Sequence, residues 1–396
     1  MNATAATALP FGRAEYDGRL RRVRERMAAQ GLDCLIATDP ANMNYLTGYD
    51  GWSFYTPQCV VVPLDGEVML FTRAMDANGA RLTTFLADER IFGFPDDYVQ
   101  QRDRHPMEWI ADELAARGAL AGTVGLEMDS YYFTPRAADA LRARAPGATF
   151  ADAGELVNWV RAIKSPAELA LMRTAASIAE RVMAAGIEAV RPGVRQCDAV
   201  AAIYEAQVRG TAEAGGDYPA IVPMLPTGQG TSTPHLTWSD APFVAGEATI
   251  LELAGCYRRY HCPIARTVFL GEPSRRLADT ARVTVEGLAT ALDAVRPGVT
   301  CEEVEAAWRG HIAPHGLEKA SRIGYSVGLG YPPDWGEHTM SLRPGDTTPL
   351  EPDMAFHMIV GMWMDDWGFE ASETFVVTGS GAECLCAFPR ELAVKG

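Results

Sequence analysis

The residues best suited to chemistry in this chain are a few carboxylates, one histidine and a group of aromatic side chains. Glu252 lies in the stretch Ile250–Thr267, ILELAGCYRRYHCPIART, where two short apolar segments, Thr249–Leu253 and Ile264–Leu270, flank a polar turn. That is the layout of a β-hairpin on the floor of a site. Strand side chains alternate between faces, so Glu252 points away from Leu251 and Leu253; if the leucines face a helical layer, the carboxylate faces a cavity. A buried ionised carboxylate is costly unless paired. Its partner is an arginine such as Arg258 or Arg266 if the role is structural, and a substrate cation if it is functional. A carboxylate so placed can attack an electrophilic carbon directly or deprotonate a water held against it. His235, in the loop Ile221–Trp238, is of the residue type suited to shuttling a proton both ways near neutrality. A lone loop histidine bonded to a backbone carbonyl is the structural alternative. Glu370 and Glu373 could hold a nitrogen of a cationic substrate, but their odd spacing on a strand sends them to opposite faces, so only one points inward. Tyr257, Tyr260, Tyr325, Tyr331 and Trp363, with Trp52 and Tyr55 nearer the N-terminus, could line an aromatic pocket. Aromatic faces beside a carboxylate suit a small, delocalised cation.

The elements that must position these groups are readable from periodicity. Residues 14–30 show helical spacing ending at Gly31, and Leu32–Ala37 reads as a buried strand. Strands at Gln58–Val62, Val68–Phe71 and Thr123–Leu126, with helices at Asp76–Leu86 and Pro106–Arg117, complete an α/β domain. A second domain opens at Ser165-Pro166-Ala167-Glu168, where Ser165 reads as N-cap, Pro166 as the first helical residue and Glu168 as the other half of a capping box. Long amphipathic helices follow at Pro166–Val190, Arg195–Ala214, Pro273–Val295 and Cys301–His315, and strands fill the remainder. The fold class is α+β.

With 396 residues, 48% of them hydrophobic, the chain supports two domains. A formal net charge of −16 argues against nucleic acid or an anionic membrane as partner. No apolar run of about 18 residues occurs, and the first 20 residues lack the pattern of a signal peptide, so a soluble cytoplasmic protein is expected. The eight cysteines have no metal-ligand spacing and read as small buried hydrophobes.

Three segments carry a resemblance. Asn42-Met43-Asn44-Tyr45-Leu46-Thr47-Gly48 is similar to the Asn-x-x-Tyr-Leu-Thr-Gly signature of creatinase and prolidase N-terminal domains, Lys164-Ser165-Pro166-Ala167-Glu168 to the junction that follows it, and the hairpin closed by Arg266-Thr267 to the site hairpin of the creatinase, prolidase and methionine-aminopeptidase superfamily. The resemblance implies an N-terminal creatinase-type α/β domain over residues 1–160 and a "pita-bread" catalytic domain with a curved antiparallel sheet over 161–396. In the metallopeptidases of that superfamily five side chains hold two metals. The corresponding positions here are Glu252, Pro263, Tyr325, Ile359 and Ser372, so a metal-free site with no cofactor is expected. His235 matches the proton-transfer histidine of creatinase, the metal-free branch, whose N-terminal domain completes the partner's site. That implies a homodimer with Trp52–Tyr55 acting in trans. Gly48–Gln58, Glu252 and Gly330–Trp335 look like the branch that opens the cyclic amidine ectoine, and 5-hydroxyectoine with it, to N-acetyl-diaminobutyrate, a product for a deacetylase. The rival functions are a metal-dependent aminopeptidase or prolidase, creatinase-type urea release, and a silent module that binds a peptide.

Overall fold

The computed structural model describes residues 9–396, and the chain divides into two compact units, Met1–Arg161 and Ala162–Gly396. The first unit runs α1 (Arg13–Ala29), β1 (Cys34–Ala37), α2 (Pro40–Thr47), β2 (Cys59–Pro63), β3 (Met69–Arg73), α3 (Ala77–Thr83), β4 (Ile91–Phe94), α4 (Pro106–Ala116), β5 (Thr123–Leu126), α5 (Pro135–Arg144), β6 (Thr149–Asp152) and α6 (Leu156–Arg161). Its six strands form one mixed sheet in the order β4-β3-β2-β1-β5-β6. The Asn42–Gly48 signature is a helix here rather than a bare motif. Asp39 caps it by accepting from the amides of Ala41 and Asn42, Pro40 starts it, and Gly48 ends it at a φ of 86° that other residues resist. Asn42 is the knot: its amide donates to Glu127 and Asn158, while its carbonyl accepts from Arg161. Glu127 also accepts from the amides of Thr38 and Asp39. The signature therefore ties this unit together and presents no catalytic group.

The second unit begins with α7 (Pro166–Ala189), α8 (Gln196–Arg209), β7 (Ala248–Tyr257), β8 (Tyr260–Leu270), α9 (Arg275–Ala294) and α10 (Cys301–Ile312). It continues with β9 (Gly324–Tyr331), β10 (Asp334–Ser341), β11 (Ala355–Trp363), β12 (Gly368–Val377), β13 (Ala382–Cys384) and β14 (Ala393–Lys395). The Ser165–Glu168 capping box forms in both directions, at 3.2 and 2.9 Å. α8 stops short of the expected Ala214, because Gly210 turns the chain at a φ of 58°. The curved, largely antiparallel sheet runs β13-β12-β11-β9-β8-β14, with β7 on β8 and β10 on β9. Helices α7 and α8 pack on one of its faces through Ile178, Ala179, Val182 and Ile203 against Leu251, Leu253, Ile264 and Val268. Contact is closest at Gly255, where a Cβ would collide with the α7 backbone at Ala175 and Ala179.

Candidate active site

The hairpin is longer and tighter than its polarity suggests. The segment between the two apolar stretches is strand, not loop: Tyr257 pairs with Tyr260, Cys256 with His261 and Ala254 with Pro263, so the turn is only Arg258-Arg259. Both arginines take positive φ, 51° and 69°, the conformation of the two-residue turn that matches strand twist. Burial explains the difference, since Cys256, Tyr260, His261 and Cys262 are all enclosed and their backbone groups need the ladder.

Alternation then sorts the side chains. Leu251 and Leu253 face the helices, which sends Glu252 to the opposite, inner face. Glu252 sits across from Ala265, whose amide donates to Ser372 Oγ at 2.6 Å on β12. Thr267, two residues on, exchanges hydrogen bonds with the Glu370 backbone at 2.9 Å in each direction. Ser372 and Glu370 share a face of β12, and on the neighbouring strand they pair with Ile359 and Gly361. Glu252 is 5% exposed and Glu370 0%. Neither carboxyl makes an ion pair or side-chain hydrogen bond among the described residues, and both Glu370 oxygens are buried without partners. Burial, then the nearby Asp334 charge, pushes Glu252 up to about 7. Burial and then Glu252 raise Glu370 well above the carboxylate range, with the Lys319 charge opposing. Both carboxyls are thereby biased toward their protonated forms.

A polar chain runs beside them. Trp335 Nε1 donates to Tyr325 Oη at 2.9 Å, Tyr325 Oη meets His357 Nδ1 at 3.0 Å, and His357 Nε2 meets Ser372 Oγ at 2.7 Å. Burial, reinforced by Arg322 and Arg266, lowers His357 to about 3, so the ring is neutral and carries one proton between its two partners. Burial and the Glu252 charge hold the Tyr325 phenol protonated. Nearby, His338 Nε2 lies 2.8 Å from Asp334 Oδ2. Burial works against the charge on Asp334, yet the bonds from His338 and the Gly336 amide hold it below its ordinary value.

The other predicted site residues are placed as follows. His235 is exposed on the loop ahead of β7. That loop runs alongside the strand, with Met224 bridged to Glu252 and the Leu225 amide donating to the Leu236 carbonyl, which puts His235 next to the segment flanking Glu252. Glu373 is corrected: it faces the opposite side of β12 from Glu370, bonded to Arg266 at 2.7 Å and Arg390 at 3.0 Å, and is committed to structure. Arg266, the alternative partner for Glu252, is thereby spent on Glu373 and on the carbonyls of Ser372, Phe388 and Pro389. Tyr260 is also corrected, since its hydroxyl donates to Glu168 at 2.8 Å within the core. Tyr257 packs with the helix-side cluster instead of the inner face. Tyr331 lies 5.6 Å from the Arg259 guanidinium. Trp363 is at the inner face, but Lys319 Nζ already sits 3.8 Å from its ring centroid, so that face is not open to a substrate cation. Trp52 and Tyr55, in the first unit, are 62% and 61% exposed. Sequence reasoning missed Lys319, Asp334 and the role of Trp335. Lys319 lies outside every strand, where alternation gives no signal; Asp334 reaches His338 only because β10 is irregular, with register shifts on either side of Gly336 and a positive φ at His338.

The donor set does not fit a two-metal centre. Such a centre needs several carboxylates bridging ions about 3.5–4 Å apart. Here Pro263 offers only a carbonyl, already accepting from Thr374 Oγ1 at 2.6 Å, Ile359 offers nothing, and Tyr325 and Ser372 are tied into the His357 chain. No group of three or more His, Cys, Asp or Glu side chains among the described residues is arranged to hold a metal ion.

Comparisons with known proteins agree with this architecture. Residues 170–379 match the model of metallopeptidase family M24, and residues 19–163 match that of the creatinase/prolidase N-terminal domain. The ectoine hydrolase of Halomonas elongata is 47% identical, covering 98% of this chain and 99% of the relative. An uncharacterised hydrolase/peptidase of Sinorhizobium fredii, y4tM, is 48% identical over 98% and 99%. Among solved structures, dipeptidase PepE from Mycobacterium ulcerans superposes with a TM-score of 0.79 at 26% identity, over 97% of this chain and 99% of that one. The prolidase from Thermococcus sibiricus gives 0.83 at 18% identity over 97% and 100%, a likeness of fold alone. The chain belongs to the M24 family and carries its creatinase/prolidase N-terminal domain.

Proposed function

We propose that this enzyme hydrolyses ectoine, and 5-hydroxyectoine with it, without a metal, opening the cyclic amidine to N-acetyl-2,4-diaminobutyrate. The observation that carries the reading is the pair of buried carboxyls, Glu252 and Glu370, which face one surface and make no ion pair or side-chain hydrogen bond among the described residues, the Lys319 ammonium only opposing the upward shift of Glu370. An amidinium supplies the missing charge, and its arrival favours the ionised form of both groups. The H. elongata relative supports the same substrate.

Glu252, once ionised, attacks the amidinium carbon; the bond from that carbon to one ring nitrogen breaks as His235 protonates the departing nitrogen, and water then opens the adduct to leave the acetyl group on the other nitrogen. The competing role for Glu252 is general base on that water. Intact mass after acid quench with slow substrates separates the two, because only the covalent route adds substrate mass to Glu252. The proposal extends to a cytoplasmic homodimer in which the Trp52–Tyr55 loop of each protomer, with Trp52 and Tyr55 exposed, serves its partner, and to a deacetylase as the enzyme that takes up the product. Full activity in a monomer at high dilution contradicts the dimer.

The decisive experiment is NMR of ectoine, and separately of creatine, incubated with chelator-stripped protein. N-acetyl-diaminobutyrate is expected from ectoine and nothing from creatine. Activity lost on chelation and restored by one transition metal overturns the metal-free reading, and no turnover of ectoine overturns the substrate.

A further inference from the structure

Beside Glu370, the inner face carries a cation of its own. Lys319 comes from the irregular segment between α10 and β9, and its Nζ donates to the Gly361 carbonyl at 2.8 Å while lying over the Trp363 ring. Gly361 is the cross-strand partner of Glu370, which fixes the lysine head next to that carboxyl. A side chain at 361 would run into the Trp363 indole. The glycine thus lets the ring fold back along β11 and become the seat on which the ammonium rests.

Three features of this corner are unused. Lys319 makes no ion pair among the described residues and commits one of its three N–H groups to Gly361. Trp363 Nε1 is buried without a hydrogen-bond partner, as are both oxygens of Glu370. Burial lowers Lys319 to about 8, and a charge on Glu370 opposes that shift. Buried donors without acceptors are costly, and they sit one residue pair from buried acceptors without donors. That pattern has two poles, one suited to an anion and one to a cation.

Building on the ectoine reading, we infer that Lys319 and the Trp363 indole N–H receive the carboxylate of the substrate while Glu370 and Glu252 face its amidinium, so that the site recognises a zwitterion by both charges. A lysine that served only to offset the Glu370 charge would be indifferent to the substrate's carboxylate. The substrate class follows: small amidines carrying a carboxylate, in preference to the same ring without one.

The test compares ectoine with its decarboxylated analogue, 2-methyl-1,4,5,6-tetrahydropyrimidine, in the full-length protein and in Lys319→Met, Lys319→Arg and Trp363→Phe. In Lys319→Met the ratio of kcat/KM for ectoine to that for the analogue is expected to fall by about 10- to 100-fold, the size of a lost charge-assisted hydrogen bond. The loss should appear mainly in KM. Trp363→Phe keeps the ring under the ammonium but removes the N–H, and should lower the ratio by about 3- to 10-fold. Lys319→Arg should recover part of it. An unchanged ratio in both Lys319→Met and Trp363→Phe, with melting temperatures confirming the fold, overturns the inference, as does an equal loss for both substrates. If the unaltered protein fails to turn over ectoine, the substrate reading itself has failed, which the same assay shows separately.

Discussion

Glu370 and Glu373 are three residues apart on one strand and live in opposite electrostatic worlds. On the helix-facing side Glu373 meets two guanidiniums, and Arg266 goes on to bind the carbonyls that anchor the chain at Phe388 and Pro389. On the inner side Glu370 has both oxygens buried and unbonded, its charge disfavoured by burial and then by Glu252 and only partly offset by Lys319. A fold that can place two arginines on one face of a strand could have satisfied the other face as well. Instead the inner face holds two buried carboxyls that make no ion pair among the described residues, a pattern that accords with the proposal that they are kept for a ligand.

The inner face is probed most directly at Glu252. Glu252→Gln should lower turnover of ectoine by at least about 10⁴-fold with the fold intact, as removal of a nucleophile or base does; near-normal single-turnover rates would move the chemistry off the inner face. His235→Ala should cost ~10²–10⁴-fold in kcat while leaving the melting temperature unchanged, because the residue is exposed. A variant with ordinary rate transfers the proton role to His338, which Asp334 already orients. Next comes the contrast in stability. Glu373→Gln strips charge from a buried pair and should destabilise by about 3 kcal/mol in urea unfolding, whereas Glu370→Gln should not destabilise at all.

The smallest effect sharpens the sign. The folded-state proton affinity of Glu370 lies above that of the unfolded chain, so between the ordinary carboxylate value and the raised one the folded protein holds a proton that the unfolded chain has lost. Its contribution to stability therefore falls as pH rises. Glutamine does not titrate, so Glu370→Gln should gain on the natural protein by about 2–4 °C in melting temperature between pH 5 and pH 8. A gain that shrinks with pH would mean that Glu370 is ionised and paired.

Much of this was legible in the residue order, and what was hidden has a physical cause. The α7 capping box and the amphipathic helices are local patterns, and they formed within a few residues of expectation. Alternation put Glu252 opposite its leucines and divided Glu370 from Glu373, but a period of two cannot say which side is inner. That answer came from Arg266 and Arg390, which reach Glu373 from 107 and 17 residues away along the chain. Tyr260 reads as a site aromatic from its place on the hairpin, and only the tertiary approach of Glu168 shows the hydroxyl to be engaged. Lys319 was invisible for the same reason: nothing local marks a lysine that a distant indole and carbonyl will hold.

Gly255 sets the geometry of all this without touching any of it. The backbone of β7 rests directly on the backbone of α7 there, with no side chain between to flex or repack. Such a contact works as a hard stop in a machine, fixing the depth of the strand that carries Glu252 three residues away. Tolerance at Glu252 is thus governed by a residue with no functional group, and a search for activity-altering positions confined to the inner face would overlook it. A single methyl at 255 would shift the strand bodily, and the carboxylate with it.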